Sequence, residues 1–109
     1  MEEYLKIGES ILQKYFDYIC RYSTDDAEYI PVVKVIIQGI CKSMTLSNSD
    51  KKEIRKVNNQ LKDFNRKLYT DLWIKNTKEN EGDDIDVAKE TESAKYYFDY
   101  VYKNEEHPR

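Results

Sequence analysis

Ile54, Val57, Leu61, Phe64 and Leu68 recur at alternating steps of three and four, and Leu72 continues the line. On an α-helix, at 3.6 residues per turn, such a heptad seam forms one apolar edge that another helix must cover. Ser49 or Asp50 can cap this helix, with Glu53 three residues beyond Asp50. The pattern carries it to Asn76, about 27 residues or ~40 Å. A rod of that length needs other helices beside it.

The rest of the chain has the composition to supply them. With 109 residues it is one domain by length. Only 3 Gly and 2 Pro are present, too few for the turn every ~8–12 residues of a β-sandwich. Ten Tyr, three Phe and one Trp give the chain enough to bury that disorder is excluded.

Three further segments read as helical. Tyr4, Gly8, Ile11, Tyr15, Tyr18 and Tyr22 form a stripe over residues 2–22, widened by Leu5, Leu12, Phe16 and Ile19. Ser23 to Asp26 ends it, and Asp25 with Glu28 resembles a capping box for the next helix. Residues 27–44 are ambiguous, because Val32, Val33, Val35, Ile36 and Ile37 are β-branched and suit a buried strand. Lys34, Gln38 and Lys42 recur every four, however, and Pro31 suits a first helical turn, so helix is the favoured reading. Gly39 offers a close approach to a neighbour. The last helix is expected to start near Asp83 or Asp84, with Ala88, Thr91, Ala94, Phe98 and Val101 as its stripe.

Short connections make consecutive helices antiparallel. The expected fold is all-α: an antiparallel up-down four-helix bundle over residues 1–104, with 105–109 as a polar tail. A three-helix core around a strand at 31–41 is the alternative.

Little catalytic chemistry is available. The single histidine, His107, lies three residues from the C-terminus, where a general base or triad has no scaffold. No Cys/His spacing fits zinc, and no Gly-rich loop fits phosphate. Glu81 to Asp86 gathers acids around Gly82 without the ligand order of an EF-hand, and a helix N-cap explains them. A di-iron site needs paired Glu-x-x-His, which is missing. Cys41 falls ~20 Å up the second helix from the turn beside Cys20, beyond the ~7 Å reach of a disulfide. Both cysteines therefore read as small buried hydrophobes. No enzyme activity, metal or cofactor is expected.

Charge and tyrosine point to binding. Residues 50–78 hold nine Lys and Arg against four acids, while 79–106 hold ten acids against three Lys. Side-by-side packing of helices three and four would pair these flanks, at ~0.2–1 kcal/mol per exposed pair. Alternatively, Arg55, Asn59, Lys62 and Arg66 line a face of the chemistry that contacts phosphates and bases. A nucleic-acid binder is usually basic, however, whereas this chain carries -3. Tyr96 and Tyr100 share a face apart from the Phe98/Val101 stripe, and tyrosine is enriched at interface hot spots. Leu72, Trp73 and Ile74 cannot all face one stripe, so Trp73, with Tyr69 four residues earlier, is expected as an exposed anchor for a protein partner or a second copy. Asp83 and Asp84 add an acidic edge to that partner-binding set.

Tyr29-Ile30-x-Val32, then Gly39-Ile40, then Leu46-Ser47 before an amphipathic helix, resembles a stretch of the small helical bacteriocin-immunity proteins over residues 29–67. The resemblance implies a cytosolic helical bundle that protects its host by binding a toxin–receptor complex. Small acidic phage-borne inhibitors, CRISPR inhibitors among them, share the same gross features. The acidic N-terminus lacks a signal-peptide pattern, and the longest apolar stretch, Val32 to Ile37, is broken by Lys34. The expectation is a cytoplasmic protein-binding inhibitor without membrane insertion, with a nucleic-acid-binding regulator as the alternative.

Overall fold

Each periodic segment becomes a helix in the structure, a computed structural model that describes residues 2–22 and 28–104. In chain order these are α1 (Glu2–Tyr22), α2 (Tyr29–Leu46), α3 (Lys51–Glu81) and α4 (Val87–Asn104). No strand occurs among the described residues, so the fold is all-α. Residues 31–41 are helical despite their β-branched side chains. The propensity cost is only tenths of a kcal/mol per residue, and the helix fully buries Val33 and Ile37, each a gain of about 1.5–3 kcal/mol. The chain divides into two compact units, Met1–Asn65 and Arg66–Arg109.

In the first unit, α1, α2 and the first half of α3 share a core of Leu12, Ile30, Val33, Ile37, Met44, Val57 and Leu61. The buried line on α1 is Gly8, Leu12 and Ile19; Ile11, Tyr18 and Tyr22 of the expected stripe stand exposed beside it. Gly8 permits the close packing expected at Gly39. A Cβ on Gly8 would lie 2.8 Å from Leu61 Cδ1 and 3.0 Å from Ile40 Cδ1, whereas one on Gly39 would meet nothing within 4 Å. The polar stripe on α2 is also shorter than its spacing suggests, because Lys34 is only 5% exposed. The core includes one polar pair. The Tyr29 hydroxyl donates to Asn65 Oδ1 at 3.1 Å, and Asn65 Nδ2 donates to the Leu61 carbonyl at 2.7 Å. Tyr15 stacks on Tyr29 at 5.6 Å and Phe16 meets it edge-on at 6.0 Å.

The connections follow from backbone chemistry. Asn48, with φ 62, ends α2 in a Schellman turn: Ser49 N–H donates to Met44 O and Asn48 N–H to Thr45 O. Asp50 then caps α3, its carboxylate accepting from Lys52 N–H at 2.9 Å. Asn76 does not end α3, which runs on to Glu81, because no breaker precedes Gly82; there φ is 88. The N-cap of α4 is Asp86 and not Asp83 or Asp84: Asp86 Oδ1 accepts from Lys89 N–H at 3.2 Å, and its carbonyl accepts from Glu90 N–H. Glu28 precedes α2 without a side-chain cap, and Asp25, its expected partner, lies outside the described residues.

Candidate functional site: an aromatic cluster and a tyrosine face

The second unit holds a dense group of aromatic rings. Tyr69 and Trp73 on α3 lie one helical turn apart, as do Phe98 and Tyr102 on α4, so each helix presents two rings on one side. Tyr69 sits 6.2 Å from Trp73, 6.2 Å from Tyr97 and 5.9 Å from Phe98. Trp73 lies 5.8 Å from Tyr97, and Phe98 stacks on Tyr102 at 5.6 Å. These separations fall in the range where aromatic pairs add ~0.5–1.5 kcal/mol beyond area burial.

The cluster decides where the sequence-predicted partner residues stand. Tyr69 is 3% exposed and belongs to the core of the unit, so it has no surface to present. Trp73 is half-buried, and its indole N–H donates to Glu90 Oε1 at 2.8 Å. The loop over residues 82–86 leaves Asp83 and Asp84 exposed. Tyr96 and Tyr100, 73% and 59% exposed, project from the side of α4 opposite Ala94, Phe98 and Tyr102. They are four residues apart and so form one continuous strip. Lys103 is exposed in the next turn.

The residues of the expected nucleic-acid face divide between the units. Arg55 and Asn59 are exposed on the first unit. Lys62, also there, is half-buried and engaged in a contact of its own. Arg66 belongs to the second unit, where its Nη2 pairs with Asp99 Oδ2 at 3.0 Å and its Nε is enclosed. Beside Arg55, the side chains of Cys41, Thr45, Lys51, Ile54 and Asn58 line an open groove of about 400 Å³. The groove is not legible in the sequence, since Cys41 and Thr45 come from α2 and nothing in their spacing joins them to α3.

Reactive chemistry is sparse. Among the described residues no group of three or more His, Cys, Asp or Glu stands close enough to hold a metal ion. Cys20 and Cys41 form no disulfide, and both are half-buried where fully buried core residues were expected. Burial pushes the Cys41 thiol up from its ordinary value. Burial likewise raises the Tyr29 hydroxyl far above the usual phenol range, and Tyr15 to a smaller extent, with Glu28 contributing there. His107 lies outside the described residues. Compared with protein-family models, curated proteins and solved structures, the chain matches none.

Proposed function

We propose that this protein is a non-catalytic cytoplasmic binder that occupies and blocks a protein partner, in the manner of an immunity protein or a phage-borne inhibitor. The observation that carries this reading is the Tyr96/Tyr100 strip on α4. Two large side chains stand in solvent, one turn apart, on a helix whose opposite side already supplies the core. Tyrosine in that position offers much contact area for few rotamers, plus a hydroxyl for a partner's polar groups. The exposed Asp83 and Asp84, in a unit with eleven acids against eight basic residues, favour a basic partner surface. In this reading the four helices form one antiparallel up-down bundle, and neither metal nor cofactor takes part.

The test uses the intact chain as bait in lysate of its host, beside the double variant Tyr96→Ala/Tyr100→Ala. Both side chains are exposed, so the variant's thermal midpoint should stay within a few degrees. Loss of the wild-type partner by the variant is expected. Equal capture by both proteins would remove α4 from the interface.

The groove beside Arg55 supports a second reading, nucleic-acid binding. Such binding falls steeply with salt, in proportion to the phosphates neutralised. Tight duplex binding with a steep salt slope, lost on Arg55→Glu with Lys51→Glu, would favour it over the protein-blocking reading.

A further inference from the structure

The first unit carries more apolar surface than its own core uses. Tyr4 on α1 bonds Ser47 just after α2 at 2.8 Å, while Tyr15 stacks on Tyr29 at the start of α2. The two helices are thus neighbours from Tyr4 to Phe16 of α1. On α1, Ile7, Ile11 and Tyr18 form an exposed line beside the buried Gly8, Leu12 and Ile19. On α2, the side opposite Ile30, Ile37 and Met44 presents Val35 at 66% and Leu46 at 76% exposure. Gly39 lies between them, with open space where a Cβ would stand.

Gly39 has no use inside the unit. A glycine in mid-helix is destabilising relative to alanine, and no neighbour here requires the missing side chain. A glycine flanked by exposed Val35 and Leu46 is what close approach of an outside helix requires. We infer that this face of α2, with the adjoining line on α1, is the contact between two copies of this chain.

Three observations select a second copy as the occupant. Six large apolar side chains of the first unit, Ile7, Ile11, Tyr18, Tyr22, Val35 and Leu46, are 42–76% exposed, enough to supply a large share of the ~800 Å² per partner of a standard interface. Residues 1–65 carry ten basic and ten acidic side chains, so this unit has no net charge to repel its own copy. The pattern is also self-complementary. A two-fold axis at Gly39 brings the backbones of both α2 helices together, with each Val35 and Leu46 lying along the other helix, as an isologous contact requires. Lys42, the one exposed charged side chain on α2, can lay its stem along the seam and keep its ammonium in water.

Lipid is the competing occupant. α2 is long and apolar enough to cross a membrane by length and composition, and 39% of it is buried. The dimer needs only one side of α2, and leaves Lys34 in the interior of the unit.

Sedimentation equilibrium of the full chain over ~1 µM to ~1 mM tests the inference. A reversible shift from monomer to dimer mass is expected. Val35→Glu with Leu46→Glu should weaken association at least ~100-fold, with unchanged helicity and thermal midpoint, because both side chains are already in solvent. Gly39→Leu, which blocks close approach without altering charge, should weaken it as well. A wild type that stays monomeric throughout, or variants that dimerise as the wild type does, would overturn the assignment. So would a monomer that floats with phosphatidylcholine/phosphatidylglycerol vesicles and loses them on Leu46→Glu, which would make lipid the occupant.

Discussion

The Trp73 indole N–H donates to Glu90 Oε1 across 2.8 Å and ties the second half of α3 to the first turn of α4. Trp73→Phe keeps most of the ring packing but leaves the half-buried carboxylate without this donor. The expected loss is about 1–2 kcal/mol by urea denaturation, and Glu90→Gln, which keeps an acceptor oxygen, should cost less. Equal stability of Trp73→Phe and wild type would show that the bond contributes nothing.

Two glycine-to-alanine changes should have opposite signs. Gly39→Ala meets open space and should stabilise the monomer by about 0.5–1 kcal/mol through helix propensity. Gly8→Ala forces a methyl against Leu61 and Ile40, and overpacking of that kind costs about 1–3 kcal/mol. Thermal melts of the two variants at low protein concentration, where self-association does not contribute, separate these effects.

Core truncation should follow observed burial and not seam position. Leu61→Ala removes a fully buried side chain that also packs against Gly8, and should cost about 2–5 kcal/mol. Phe64 occupies the same seam but is half-buried, and its truncation should cost clearly less than that of Leu61.

These cases show what the sequence makes legible. Helix identity was readable from periodicity, and Asp50 starts α3 where expected, whereas the expected caps of α2 and α4 were not found at Glu28 or at Asp83 and Asp84. The orientation of single side chains was less readable. Tyr18 and Tyr22 match an apolar stripe by position, yet tyrosine is amphipathic and tolerates solvent, so the buried line runs instead through Gly8 and Leu12. Lys34 reads as surface by charge and is buried. On the candidate site, the exposure of Tyr96 and Tyr100 follows from a face distinct from that of Phe98, while the interior position of Tyr69 depends on α4 rings far away in sequence.

Alkaline pH should unfold the protein through Tyr29. Burial raises its folded pKa above the unfolded value near 10, so its contribution is complete below pH ~10. Above that, the unfolded chain releases a proton that the folded chain retains, and stability falls by up to ~1.4 kcal/mol per pH unit from this group. Denaturation curves between pH 9 and pH 11, at ~0.5-unit steps, should show this slope, and Tyr29→Phe should reduce it. The same variant should cost about 1–3 kcal/mol at neutral pH, because Asn65 Oδ1 loses its buried donor.

The Tyr29–Asn65 bond also bears on synthesis. Asn65 is the final residue of the first unit, and every core side chain of that unit has been added to the chain once it is translated. The aromatic cluster, by contrast, draws on residues from Tyr69 to Tyr102 and awaits nearly the whole chain. Each unit is contiguous and helical, so its contacts are local and fast to form. Synthesis thus completes the residues of one core before the other has its α4 rings. Stalled or truncated products ending between the two would carry the Val35/Leu46 surface while lacking the Tyr96/Tyr100 strip.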